Sequence, residues 1–263
     1  MARGEVSGRA VSGRLMFIPG FLDDATLWRG VIERLALPGW ESVPVNLRGT
    51  GRAEPRRGAT LEAYRDQVLE VLDELERESA RPTVVVGHSM GAQVAELVAG
   101  CRPHIVVGLV LITPIPLKGF PLSAKQAVGF ANAARSGDPA VAAAGRKPLL
   151  VNDSPDVLDA LVRSTLATPP ATALEALHAW TSGHPLGSRP SLVTAPTLLI
   201  TTDDTFASRE LVRDAVASRF RHAQIADVPG AGHWPHVEQP AAVAAILTRF
   251  VSDITHNDTE AKQ

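Results

Sequence analysis

The chain has 263 residues, 45% of them apolar and 21% charged, a globular balance that excludes a wholly disordered chain. Lys plus Arg total 26 against 28 Asp plus Glu, a net charge of −2, so the basic footprint of a nucleic-acid binder is missing. The single Cys101 excludes an internal disulfide and a multi-cysteine zinc site, and no apolar run approaches the roughly 18 residues of a membrane span.

Leu15–Ile18 reads as a short buried strand that ends at Pro19-Gly20. Thr26–Leu35 carries Leu27, Val31 and Leu35 at helical spacing. Ser42–Val45 is a second predicted strand, followed by a loop from Arg48 to Gly58. Thr60 can cap a long helix running to about Ser79, with Leu61, Tyr64, Val68, Leu72 and Leu75 on one face. Thr83–Val86 is β-branched throughout, as in a strand buried on both faces. A helix over Met90–Cys101 and an apolar strand over Val106–Ile112 continue the alternation.

The rhythm breaks between Ile115 and Pro190, an Ala-rich stretch punctuated by helix starts. Ser123 precedes Gln126 at capping-box spacing. Asp138-Pro139 and Ser154-Pro155 each set a capping residue before a proline at the first helical position. Ala171–Ser182 gives one more helix, about four in all by the cap-and-period rules, with no strand. Beyond it come a strand at Thr197–Thr201, a helix at Arg209–Phe220, a strand at Gln224–Val228 and a closing helix at Pro240–Ile254. The expected organisation is an α/β core formed by residues 1–114 and 191–254, a helical insertion at 115–190 and a frayed polar tail at 255–263. Strands alternating with helices imply a mostly parallel sheet covered on both faces, whose ligand site lies at the carboxyl ends of the strands. The polar N-terminal stretch MARGEVSGRAVSGR lacks the apolar core of a signal peptide, so a cytoplasmic location is expected; the expected assembly is a monomer or homodimer.

Gly87-His88-Ser89-Met90-Gly91 matches G-x-S-x-G, a weak pattern by itself. Its setting strengthens it, because it follows one predicted strand directly and opens the next helix directly. Such a turn pushes the Ser89 hydroxyl into the open at a helix N-terminus, where the dipole favours negative charge. With these residues the chain resembles the α/β-hydrolase family, in particular its small lidded serine esterases, lactonases and perhydrolases. The resemblance runs from Leu15 to Val251 and rests also on Pro19-Gly20-Phe21 with Trp28 and on Gly230-Ala231-Gly232-His233-Trp234-Pro235. It implies that the insertion at 115–190 is the family's helical lid and that the front hairpin is short.

A serine hydroxyl needs a base, and His233 follows the last predicted strand, as the family's catalytic histidine does. The glycines before it would let the loop swing the imidazole over the sheet edge. His88 and His236 read as packing residues, and His178 and His184 as positions of the insertion that could touch substrate, though a lone histidine there is more often bland. The chain order Ser, acid, His requires a carboxylate between Ser89 and His233. Relatives carry Gly-x-x-Asp after the matching strand, but here the sequence is Thr201-Thr202-Asp203-Asp204-Thr205-Phe206, without the glycine. Counting from Pro196 puts the acid slot on Thr205; matching Thr205–Ser208 puts it on Asp204, which is favoured, with Asp203 as the alternative.

The resemblance further assigns the backbone N–H groups of Phe21 and Met90 to an oxyanion hole. Trp180, Phe120, Phe130 and Leu117, with Ile115 and Leu122, suggest an apolar acyl or aryl pocket in the insertion. Arg48, Arg52, Arg56 and Arg57 read as a solvated basic loop. The expectation is a hydrolase without cofactor or metal acting on a small apolar ester or lactone, with no nucleic-acid or membrane partner. C–C hydrolysis, perhydrolysis and thioester or carrier-bound acyl hydrolysis remain open for the same triad. A non-catalytic ligand-binding version of the fold is the further alternative.

Overall fold

The structure, a computed structural model, describes residues 13–50 and 58–260. Among the described residues, six parallel strands form one sheet in the order β2-β1-β3-β4-β5-β6. They are β1 (Gly13–Ile18), β2 (Trp40–Pro44), β3 (Thr83–His88), β4 (Val106–Ile112), β5 (Thr197–Thr202) and β6 (Ala223–Val228). Alternate residues of each strand face opposite sides. Met16, Ile18, Val85, Leu109, Leu111 and Leu199 enter one apolar core, while Leu15, Phe17, Val84, Val86, Val110 and Ile200 enter the other. Pro44 is tolerated because β2 is an edge strand, where a missing N–H breaks no ladder bond.

Helices α1 (Leu61–Glu78) and α2 (Met90–Cys101) cover the first face. Thr60 caps α1, its hydroxyl accepting from the Ala63 N–H at 3.1 Å, and Leu61, Tyr64, Val68 and Leu72 are buried along one side. The second face is covered by the closing helix α8 (Pro240–Glu260) through Val243, Leu247 and Phe250, together with Trp28 and Val31. This helix runs through Glu260, so the frayed tail expected from Thr255 is helical for most of its length. The expected helix over Thr26–Leu35 is instead a 3₁₀ turn, Ala25–Trp28, followed by one short turn, Arg29–Ile32. Asp24 caps it, and Gly30 with β-branched Val31 and Ile32 gives the segment little intrinsic drive to extend.

Between β4 and β5 lie α3 (Ala124–Arg135), α4 (Pro139–Arg146), α5 (Pro155–Leu166) and α6 (Pro170–Ser182). The Ser123–Gln126 capping box forms as its spacing predicts, and Asp138 caps α4. Ser154 precedes α5 without a side-chain cap. The remaining short helix, α7 (Pro235–Glu238), leads into α8. The helix expected over Arg209–Phe220 changes period, from one α-turn to a π segment at Val212–Val216 and a 3₁₀ turn at Ala217–Arg219. That change keeps Val212, Val216 and Ala217 all against the core. No helix among the described residues is long and apolar enough to cross a membrane. Arg52, Arg56 and Arg57 lie outside the described residues; Arg48 pairs with Glu70 at 3.2 Å.

Candidate active site

Ser89 stands between the end of β3 and the start of α2 with φ 52° and ψ −117°, a conformation that L-residues adopt at a cost. Two glycines make room for it. A Cβ on Gly87 would strike the carbonyl oxygen of Gly91, and one on Gly91 would strike those of Ile18 and Pro19. The Ser89 N–H is tied to the Ile112 carbonyl at 3.0 Å, so the turn is pinned to β4.

His233 Nε2 lies 2.9 Å from Ser89 Oγ, and its Nδ1 lies 2.6 Å from Asp204 Oδ2. All three residues are buried. Asp204 also accepts from the Phe206 N–H at 2.8 Å and the Ala207 N–H at 3.0 Å. Burial alone would raise its pKa; the charge and hydrogen bond of His233 and these two N–H groups outweigh burial and hold the carboxyl below its ordinary range. Asp203 points elsewhere: it pairs with Arg209 at 2.9 Å and accepts from the Gly230 N–H at 2.7 Å. Of the two candidate acids, only Asp204 meets the imidazole.

The glycine-rich loop before His233 is held rather than free to swing. Glu238 accepts from the Gly232 N–H at 3.0 Å and from the N–H groups of Val151 and Asn152 at 2.9 Å. The His233 N–H donates to the Leu149 carbonyl at 2.8 Å, and a Cβ on Gly232 would collide with that same carbonyl. Its own carbonyl accepts from His88 Nε2 at 2.8 Å and from Thr113 Oγ1 at 2.9 Å. Thr113 is the first residue after β4.

Behind the imidazole sits a buried polar cluster. His88 Nδ1 lies 3.2 Å from Asp23 Oδ2, Trp234 Nε1 donates to the same oxygen at 3.1 Å, and Arg146 pairs with Asp23 Oδ1 at 2.9 Å. Burial would raise Asp23; Arg146 and His88 outweigh it and hold the carboxyl far below its ordinary range. His236 stacks on Trp28 with ring centroids 4.3 Å apart, a packing residue as expected, and burial pulls its pKa well down. His178 and His184 lie on the insertion away from Ser89, His184 beside Glu62 at 3.4 Å.

Phe21 and Met90 flank Ser89, one in the turn after β1 and the other at the first position of α2. Neither N–H donates to another described group. A cavity of about 760 Å³ opens over Ser89 and His233. Trp180 and Phe130 line it, as do Phe21, Phe206, Trp234 and Leu149. Leu117 and Phe120 do not. Leu117 is buried in the core, and Phe120 stands one layer back, packed on Phe206 at 4.9 Å. Sequence reasoning missed Asp23, Arg146, Phe206 and Glu238. Asp23 had a signal, an acid in the turn that follows a buried strand; Arg146, at the end of an Ala-rich helix, had none.

A parallel sheet with a serine turn at the carboxyl end of β3 defines an α/β-hydrolase fold. Residues 15–246 match the model of the alpha/beta hydrolase family, and the chain belongs to it. It is 27% identical over 150 residues to a serine hydrolase-like protein of Dictyostelium discoideum, covering 57% of this chain and 40% of that protein. The chain thus spans less than half the length of that relative. Among solved structures it is similar to a thermophilic esterase from Thermogutta terrifontis, with TM-score 0.78, 24% identity, and 93% and 91% of the two chains covered. The enol-lactonase from Burkholderia xenovorans LB400 superposes with TM-score 0.79 at 19% identity, covering 95% and 94%. At such identities these likenesses show the fold.

Proposed function

We propose that the chain is a serine hydrolase that cleaves a small apolar carboxylic ester or lactone through an acyl-enzyme. The hydrogen-bonded run from Ser89 Oγ through His233 to Asp204 supports this reading above all else. Ser89 Oγ attacks the carbonyl carbon while His233 Nε2 takes its proton. Asp204 holds the proton on Nδ1 and stabilises the imidazolium that forms. The carbonyl oxygen, now negative, meets the N–H groups of Phe21 and Met90, at the N-terminus of α2. The C–O bond breaks and His233 gives its proton to the leaving oxygen. Water, deprotonated by His233, then attacks the acyl-enzyme and frees the acid and Ser89. The helical insertion acts as a lid, and Phe130, Trp180, Phe206 and Leu149 favour an apolar acyl or aryl group beside Ser89.

The test is a chain-length series of p-nitrophenyl esters, measured on wild type and Ser89→Ala in parallel. Serine-dependent turnover with a clear length optimum is expected. A folded wild-type protein that turns over no ester would overturn the ester reading, in favour of C–C or carrier-bound acyl substrates.

A further inference from the structure

One carbonyl in the turn after β1 is held from the helical insertion. Gly20–Asp23 forms a four-residue turn closed by the Asp23 N–H donating to the Gly20 carbonyl at 3.3 Å. Leu22, its third residue, has φ 60°, a place where glycine or asparagine is the usual occupant. A leucine stays there only if its surroundings over-determine it. Arg146, the last residue of α4, supplies that constraint. Its Nη2 donates to the Leu22 carbonyl at 2.7 Å, its Nη1 pairs with Asp23 Oδ1 at 2.9 Å, and its Nε donates to Thr165 Oγ1 at 2.9 Å. Ser164 Oγ reaches the same Leu22 carbonyl at 3.3 Å. The guanidinium also stacks 4.8 Å above the Trp234 ring, next in sequence to His233. Asp23 in turn faces His88, which donates to the His233 carbonyl.

We propose that Arg146 is a positioning residue: reaching in from the helical insertion, it fixes the Gly20–Asp23 turn so that the Phe21 N–H faces the developing oxyanion, and through Asp23 and His88 it braces the His233 loop. This rests on the serine-hydrolase reading above. Its consequence is that the hydrolytic machinery is complete only when the insertion is seated. Arg146 lines the cavity, yet three of its groups are committed to protein partners, so it serves the turn rather than a substrate anion. Lysine could still pair with Asp23 but, as a compact point charge, could not also span Leu22 and Thr165.

Arg146→Lys is the direct test, read by melting temperature, ester kcat and KM, and affinity for phenylboronic acid. Ser89 Oγ adds to boron, its proton passing to His233, and the resulting tetrahedral boronate sets an oxygen where the oxyanion would be. A folded variant is expected to lose kcat and boronate affinity together, by roughly 10-fold to 100-fold, with KM within about threefold. Should Arg146→Lys fail to fold, the double variant Asp23→Asn/Arg146→Met replaces the buried pair with neutral groups, and the same loss in kcat is expected of it. Wild-type kcat and boronate affinity in either folded variant, or a defect confined to KM, would overturn the proposal. So would loss of folding in both, which would leave the network a role in stability only. Labelling by a fluorophosphonate separates this from the reading beneath it. Wild type left unlabelled at Ser89, with ester turnover surviving Ser89→Ala, overturns the serine reading itself; labelled wild type with an unimpaired Arg146→Lys overturns only the role of Arg146.

Discussion

Ser89, His233 and Asp204 come from three separated turns, and each is held by more contacts than its proposed chemistry needs. Removing the hydroxyl should therefore leave the fold alone. Ser89→Ala is expected to melt within a few degrees of wild type while kcat falls by roughly four to six orders of magnitude, measured on the best p-nitrophenyl ester. The two adjacent aspartates make a sharper test. Asp204→Asn leaves the neighbouring N–H groups an acceptor but mis-sets the imidazole tautomer, and should cost kcat about 10⁴-fold. Asp203→Asn loosens the Arg209 pair and the Gly230 contact, so it should cost stability on the order of 1 kcal/mol and kcat less than about tenfold. The opposite ranking of the two rates would move the acid to Asp203. Ser89 and His233 were legible because each sits in a local pattern of glycines. The acid was legible to within two neighbours, with Asp204 favoured; a one-residue change in the loop after β5 shifts the counting, and only the direction of the two carboxylates in space separates them.

Among the elements, those specified by local chemistry read true and those specified by tertiary contacts did not. Thr60, Ser123 and Asp138 announce helix starts through their own side chains. The segments around Trp28 and Val212 carry a helical period but obey the core, where Trp28 packs on Phe17 and His236. The cavity wall is another matter of elements. Its α3 side includes Gly129, where an added Cβ would meet nothing within 4 Å. Gly129→Leu should thus enter without strain and strengthen α3 by up to about 1 kcal/mol through helix propensity. The new side chain would fill cavity space, so the same ester series should peak at a shorter acyl chain than for wild type. An unchanged length profile in a folded variant would mean that the acyl group lies away from α3.

For the molecule as a whole, the parallel sheet covered on both faces was legible, since the alternation of apolar, β-branched strands with helices is written in the local sequence. The buried polar layer beneath the site was not, because Asp23, His88, Arg146, Trp234 and His236 are scattered along the chain and meet only in the fold. That layer gives the stability a pH dependence. His236 is buried against His88, and burial pulls its pKa well below 6.5. In the unfolded chain it titrates near its ordinary value of about 6.5. Below that pH the unfolded state binds a proton that the native state refuses, so acid favours unfolding. The stability is complete above about pH 6.5 and declines as pH falls, by up to roughly 1.4 kcal/mol per pH unit for this one group until its native pKa is reached. Asp23 and Asp204, also held low, add their losses only below about pH 4. His236→Phe keeps a ring on Trp28 but has no proton to gain. Melting curves at pH 7.5, 6.5 and 5.5 should show wild type losing stability faster than the variant between the last two points, and parallel curves would mean that His236 takes up no proton on unfolding.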